Sequence, residues 1–568
     1  MKPCNTARNT VSRANSGKKN TAIVVTFTIS YIINMARKFP IGIQTFSEIR
    51  KLNAIYVDKT DLIYKLVQEG KVYFLARPRR FGKSLLISTL DDYFSGRKEL
   101  FTGLAIDSLE SEWKKHPVLR FDFSRMKFQR AVDLDELLDI QLKRYESLYG
   151  LSSQSTLPGE GKLKNSTRLQ NLIFAAEQQH GQQVVFLADE YDAPLLDTLV
   201  DKDSFEQMRQ KLRDFYSPLK SLDPHLRFIF ITGITKFSQL SIFSELNNLK
   251  IISLMDEFAS ICGITEEELH TQMKPEIEAM AQETNKTFEQ VCAALKHKYD
   301  GYHFSKKSPD IYNPFSLMNA LQDKDLSNYW FGTGTPTHLI EQIQNFDINP
   351  ESLARGVEAT AEMFNVPAES SSNPIPVLYQ SGYLTIKDFD ADFNIYTLAY
   401  PNDEVTIGFS KSLMPYYALP TVAQNDTFLI KLVKALAADN LQEAMTQMKA
   451  FFSSIPYDAE HQDENHYKFI FYLIFRLLTD FNVSTEERSA AGRADAVVET
   501  KNSVFVFEFK MDKNGTVEDA LKQIDDKGYL IPYSVKTKAD GVPKKLFKIG
   551  VTFDSEKRTI GEWKIVEG

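Results

Sequence analysis

From Lys38 to about Ser260 the chain alternates short β-rich apolar runs with longer amphipathic stretches, the order expected of a sheet with helices on its faces. Four runs stand out: KVYFLA (Lys71 to Ala76), HPVLRFDFS (His116 to Ser124), QQVVFLADE (Gln182 to Glu190) and LRFIFITG (Leu226 to Gly233). Each reads as a buried strand ending in polar residues, and in such sheets ligands bind at the carboxyl ends. Between Thr265 and about Asn365 the strands give way to charged segments such as TEEELHTQMKPEIEAMAQETN. That segment opens with a capping threonine and first-turn acids and predicts a helical lid or arm. Val377 to Val405 is strand-rich, with turns at Ser381-Gly382 and Asp390 to Asn394, and predicts a small winged-helix-like or hairpin module. Helix resumes from about Asp426 to Ser454, and ENHYKFIFYLIFRLLTDF, Glu464 to Phe481, is a strongly apolar helix that opens a last unit.

A chain of 568 residues is too long for one hydrophobic core. The pattern divides it into a leader or spurious extension (1–34), an α/β domain (35–260), a helical lid or arm (261–375), a winged-helix-like module with a helical linker (376–456) and a final α/β unit (457–568). With 43% hydrophobic and 25% charged residues it has globular composition, which excludes a fibre or a wholly disordered chain. A net charge of -8 argues against a surface that coats nucleic acid everywhere, so any such contact is local. Cys4, Cys262 and Cys292 are far apart and show no paired spacing for zinc or disulfides, which fits a reducing cytoplasm. In KKNTAIVVTFTISYIINMA two lysines precede an apolar run too short for a comfortable bilayer span. The reading adopted is that Met35 is the start and the upstream stretch a translated leader; a signal segment is the alternative. No stable membrane association is expected.

The first chemical constellation lies in LARPRRFGKSLL. In a phosphate-binding loop, backbone N–H groups at a helix start surround phosphate oxygens, a lysine reaches the outer phosphates and a hydroxyl holds magnesium. Gly82, Lys83 and Ser84 match those roles, but Arg77 stands where the pattern begins with glycine. Pro78 restrains the loop, and Arg77, Arg79 and Arg80, flanking Phe81, add positive charge where a polyphosphate would lie. VVFLADE supplies the complement, a buried strand that delivers Asp189 to hold magnesium and Glu190 to orient an attacking water. FITGITKFS adds Thr232, Thr235 and Lys236, groups suited to sensing a γ-phosphate; strand-end capping and a surface lysine explain them equally. ATP and Mg²⁺ are the implied cofactors.

The second constellation is GRADAVVETKNSVFVFEFKMDK, Gly492 to Lys513, two β segments joined by a turn at Lys501-Asn502. Asp495 begins one segment, and Glu508 and Lys510, two apart, share a face of the next. Metal-dependent phosphodiester cleavage needs hard oxygen ligands, here Asp495 and Glu508, and a cation near the developing charge, here Lys510. An isolated acid-x-lysine pair is equally explained by a cross-strand salt bridge.

With FSEIRKLNAIYVDKTDLIYKL, LADEYDAPL, YDGYHF, YNPFSLMNAL, YQSGYLTI and YPNDEV added, the sequence resembles AAA-ATPase-like proteins joined to a PD-(D/E)XK nuclease-superfamily domain, common in gut bacteria, from about Phe39 to the C-terminus. The resemblance implies a P-loop NTPase sheet of AAA+/STAND type, a helical lid with a winged-helix-like module, and a C-terminal restriction-endonuclease-like α/β domain. That family uses the Arg-Pro-Arg-Arg form of the loop, which makes Arg77 a tolerated variation. The likeness places YVDKT (Tyr56 to Thr60) near the nucleotide base, although a helix cap by Asp58 or Thr60 explains it too. It also makes the Phe509 carbonyl a metal ligand, Glu464 an additional acid, and Gln523 with Tyr529 the glutamine-tyrosine pair of the RecB-like branch. Arg209 and Arg213, four apart on one helical face, are arginine-finger candidates, but the reading adopted is that of surface salt-bridge partners. The expected function is ATP binding and hydrolysis whose nucleotide state controls a magnesium-dependent nuclease domain acting on DNA. The alternative is a nucleotide-dependent switch whose C-terminal domain only binds nucleic acid or a partner. The family likeness leaves a homo-oligomer open.

Overall fold

A computed structural model of the chain describes residues 37–151, 163–199, 201–235, 248–330, 350–364, 366, 373–417, 422–455, 464–478, 484–486, 494–538 and 540–568. The leader expectation for residues 1–34 and the sensing role for Lys236 lie outside the described residues.

The first sheet holds β1 (Val72–Ala76), β2 (Val118–Asp122), β3 (Val184–Asp189), β4 (Leu226–Gly233) and β5 (Lys250–Ile251), in the order β2-β3-β4-β1-β5 and parallel throughout. The four longer strands coincide with the four apolar runs. β5 is only two residues long, too short to leave a periodic signature. Inner strands of a parallel sheet are covered on both faces, which is why β3 is buried at every position. The registers pair Ala76 with Gly233 and Asp122 with Asp189, so the carboxyl ends of β1, β2, β3 and β4 finish along one edge.

The next segment is the expected helical arm: Glu266–Gln272, Lys274–Thr284, Phe288–Tyr299 and Pro314–Asp323, with a short antiparallel pair, β6 (Ile264–Thr265) and β7 (Ile311–Tyr312). Thr265 caps the first helix, its hydroxyl accepting from the Glu268 amide while the Glu268 carboxylate accepts from the Thr265 amide. The module after it is a three-stranded antiparallel sheet of β8 (Val357–Ala359), β9 (Thr385–Asp390) and β10 (Ile395–Ala399), in the order β8-β10-β9. It differs from the strand-rich expectation at its start, where Ile375–Ser381 is a helix ended by Gly382 at φ +91°.

Arm and module interlock at two of the short motifs. Gly301 of YDGYHF, at φ +90°, has no room for a side chain, because a Cβ would lie 2.3 Å from the Pro401 carbonyl oxygen in YPNDEV. Asn402 donates from Nδ2 to the Asp300 carbonyl at 2.8 Å, and the Lys387 ammonium donates to the carbonyls of Gly301 and Pro401 at 3.0 and 2.7 Å. Burial pushes the Asp300 carboxyl up to about 7; the Gly301 amide and Lys296 oppose the shift, while Asp310 and Glu266 add to it. A carboxyl raised in the folded state contributes stability below its ordinary range and loses it as pH rises through about 7. Asp300→Asn is therefore expected to gain melting temperature relative to the parent as the buffer moves from acid to pH 8, read by thermal denaturation of the full chain. A difference that stays flat with pH contradicts the assignment.

Three helices follow, Asp403–Tyr417, Val422–Ala437 and Leu441–Ser453, then Glu464–Leu478 and the last sheet. That sheet orders β11 (Ser484–Glu486), β12 (Ala496–Glu499), β13 (Ser503–Met511), β14 (Lys545–Asp554) and β15 (Thr559–Glu567) in sequence. It is mixed: β13 and β14 run parallel, and the other neighbours antiparallel. The parallel pair needs a crossover, supplied by the helix Val517–Asp526. Among the described residues no helix is long and apolar enough to cross a membrane.

Candidate functional site

The six residues Arg77 to Gly82 link β1 to the helix Lys83–Phe94. Arg80 (φ +69°) and Gly82 (φ +91°) adopt left-handed backbone, and no side chain caps the helix start. An uncapped helix terminus beside such a turn presents N–H groups suited to an anion. A Cβ at Gly82 would meet nothing within 4 Å, so glycine is needed there for its conformation and not for space. Lys83 is buried and donates from Nζ to the carbonyls of Arg77 and Pro78, both at 3.1 Å, bridging the loop.

Arg77 departs from the sequence expectation. Its guanidinium is 1% exposed and donates to the carbonyls of Ser253 (2.8 Å), Ala76 (3.0 Å), Ala259 (3.1 Å) and Phe258 (3.3 Å), 4.2 Å from the centre of the Phe304 ring. Burial lowers its pKa to about 10, which leaves it protonated at neutral pH. The side chain anchors the base of the loop instead of lining it with charge. Arg79 and Arg80 are exposed, Arg80 lying over the Phe315 ring at 4.6 Å. Phe81 is buried edge-on against Tyr302 (4.8 Å) and Phe304 (5.2 Å), and Pro78 packs against Gly382.

β3 delivers Asp189 to this loop. The Ser84 hydroxyl hydrogen-bonds to its carboxylate, while Oδ1 is buried without a partner. Burial pushes the Asp189 carboxyl up to about 6; Ser84 and Lys83 lower it, and Glu190 and Asp122 raise it. Glu190 follows in left-handed backbone, φ +50°, an unusual conformation for a non-glycine residue. At the end of β4 the Thr232 hydroxyl is buried and without a hydrogen-bond partner. Thr235 is turned elsewhere: its amide and hydroxyl donate to Asp192 at 2.7 and 2.8 Å, the strand-end capping alternative. Sequence reasoning missed Asp192, which is fully buried and also accepts from the Ile234 amide at 2.9 Å. Asp192 stands in the quoted LADEYDAPL, but only its burial distinguishes it from an exposed turn acid. Gly233 leaves space for it, since a Cβ there would lie 2.5 Å from Asp192 Oδ1.

In YVDKT neither Asp58 nor Thr60 is the helix N-cap: that position is Lys59, with no side-chain cap, and Asp58 bonds locally instead. Asp58 accepts from the amide and hydroxyl of Thr60 at 2.9 and 2.7 Å and from the Ala105 amide at 2.7 Å. Lys59 pairs with Glu268 at 2.5 Å, and Tyr56 is partly buried, with burial of its hydroxyl raising its pKa. Arg209 pairs with Glu206 on its own helix, the surface role weighed against an arginine finger, and Arg213 lies one turn further along the helix Lys202–Tyr216.

In the last sheet, β12 and β13 pair Ala496 with Phe507, which sets Asp495 beside Glu508. Asp495 accepts from the Phe509 amide at 2.8 Å. Glu508 is 2% exposed; its Oε1 accepts from Lys510 at 3.0 Å, and its Oε2 is buried without a partner. Burial, and secondarily Asp495, push the Glu508 carboxyl up to about 7 against the pull of Lys510. Gln523 accepts from the Lys510 ammonium at 2.7 Å, fixing it from the crossover helix. Tyr529 does not share that helix, which ends at Asp526; it is buried with Val497, Val504 and Tyr533. Glu464 opens the helix Glu464–Leu478, and its side chain lies outside the described residues. Among the described residues no group of three or more His, Cys, Asp or Glu is arranged to hold a metal. Two carboxylates, one with an orphaned buried oxygen, suit a magnesium ion that keeps water and substrate oxygens among its ligands.

These features define a chain with a P-loop-like α/β domain and a C-terminal mixed-sheet domain of nuclease type. A family model described as a predicted AAA-ATPase matches residues 40–243, and one described as the PD-(D/E)XK nuclease superfamily matches residues 462–563. An uncharacterized protein in the vnfD 5' region of Azotobacter chroococcum mcd 1 is 34% identical over 532 residues, covering 92% of this chain and 98% of that relative. The chain belongs to the family of predicted AAA-ATPases that carry a C-terminal PD-(D/E)XK nuclease-superfamily domain.

Proposed function

We propose that this protein binds and hydrolyses ATP and that its nucleotide state controls a magnesium-dependent nuclease activity of the C-terminal domain on DNA. The observation that carries the reading is the pair of separated sites, each with a buried carboxylate oxygen lacking a partner: Asp189 beside Ser84 and Lys83, and Glu508 beside Asp495 and Lys510. At the first site the amides of the loop and helix start cradle phosphates, and Lys83 exchanges the carbonyls of Arg77 and Pro78 for phosphate oxygens. Ser84 and Asp189 would hold magnesium, Glu190 orients the attacking water, and Thr232, whose hydroxyl is buried without a partner near the end of β4, would sense the γ-phosphate. At the second site Asp495, Glu508 and the Phe509 carbonyl would hold magnesium, with Glu464 a further candidate, and Lys510 faces the charge that develops on the phosphate. Bound there, the metal would supply Lewis-acid polarisation and a water of lowered pKa.

The module around β8, β9 and β10 is read as winged-helix-like. The buried free thiols of Cys262 and Cys292 accord with a cytoplasmic protein. The test is an assay of the purified full chain with Mg²⁺ or Mn²⁺, with and without ATP, on single- and double-stranded DNA and RNA. Metal-dependent cleavage that changes with ATP is expected. Nucleotide binding with no cleavage of any form selects the switch reading, in which the C-terminal domain only binds.

A further inference from the structure

The arm and the module touch the phosphate loop, and a series of contacts passes from them to the nuclease-like domain. Trp330, 7% exposed, donates from its indole Nε1 to the Arg79 carbonyl at 3.3 Å and from its backbone amide to Glu404 Oε1 at 2.8 Å. Gly382 lies so close to Pro78 that a Cβ would come within 2.6 Å of that ring. Tyr383, the next residue, packs edge-on against Trp330 at 5.3 Å and against Phe409 at 5.1 Å. Phe409 and Glu404 both belong to the helix Asp403–Tyr417, which packs against the helix Glu464–Leu478. From that second helix Phe471 lies 4.0 Å from the ring of Phe509, the residue between Glu508 and Lys510, and Phe475 lies 5.3 Å from Phe507.

We propose that Trp330 is a positioning residue of the phosphate loop, and that its indole bond to Arg79 is the joint through which the arm and the nuclease-like domain read the loop's conformation. The inference rests on the nucleotide-controlled reading above and assigns its regulation. The loop has two kinds of support. Its base is fixed by Arg77 on carbonyls of the ATPase domain, whereas its crest, Pro78 to Phe81, is held by residues of the arm and module. A peptide plane that rotates to turn its N–H toward a phosphate swings its carbonyl as well, so the Arg79 carbonyl cannot move without changing its bond to Trp330. Trp330 is bonded in turn to Glu404, on the helix that packs against Glu464–Leu478. Linkage makes the effect reciprocal: nucleotide strengthens or weakens this bond by the same factor as the bond strengthens or weakens nucleotide binding.

The test uses the full chain and Trp330→Phe, which keeps an aromatic ring against Tyr383 while removing the indole donor and part of the ring's bulk. ATP and ADP affinities with Mg²⁺ are measured by calorimetry, and cleavage is measured with and without ATP. The expected result is a change of about two- to tenfold in nucleotide affinity, the size of one hydrogen bond. The ATP-dependent difference in cleavage should collapse, with the nucleotide-free rate and the melting temperature close to the parent's. A variant that matches the parent in affinity and in its response to ATP overturns the inference alone. A variant that loses nucleotide-free cleavage in proportion assigns Trp330 to stability and also overturns it. A parent that binds no nucleotide overturns both this inference and the reading it rests on.

Discussion

Lys83→Ala is expected to abolish ATP turnover, with phosphate release falling by at least about a hundredfold, the scale on which removing one transition-state donor acts. Lys83 stands at the first helical position after Gly82, buried, with its ammonium on two loop carbonyls that a phosphate can replace. Two of the loop arginines are engaged elsewhere: Arg77 is bound to four carbonyls, and Arg80 lies over Phe315. Nucleotide-free cleavage should be spared in this variant, because Lys83 follows a strand of the first sheet whereas Glu508 lies on a strand of the last. Parent-like turnover would remove Lys83 from the site.

The second large effect is the mirror image. Lys510→Ala should cut phosphodiester cleavage by about 10²- to 10³-fold and leave ATP turnover near the parent rate. The lysine is held between Glu508 and Gln523, so its charge is directed and not diffuse, and its loss also leaves the buried Glu508 carboxylate without its cation. Unchanged cleavage in this variant refutes the assignment of the C-terminal site. A loss of both activities would instead point to misfolding, which circular dichroism and the melting temperature separate from a chemical effect.

Legibility in the sequence followed burial and periodicity. The four long strands of the first sheet were readable because inner parallel strands are apolar on both faces, and LRFIFITG coincides with β4 residue for residue. The hairpin carrying Asp495, Glu508 and Lys510 was readable because alternation puts residues two apart on one face. What escaped was decided by tertiary neighbours. Nothing in RPRRFGKS tells which arginine will turn inward, since Arg77 finds its carbonyl partners about 180 positions along the chain. Asp192, Trp330 and Gly382 matter through what lies beside them in space, and their immediate sequence carries no trace of it. Tyr529 was misplaced for the same reason: the helix expected to carry it ends three residues earlier, at Asp526, and the tyrosine goes into the core.

The interior guanidinium of Arg77 has a consequence for the kinetics of capture. A glycine-rich loop that must be organised by its ligand charges the ordering entropy to each encounter, and association slows accordingly. Here the chain meets that entropy once, while it folds, because a cation cross-braces the turn from behind. On the proposed ATP-binding reading, the base of the loop is therefore already in place when a triphosphate arrives, and only its crest is left to adjust.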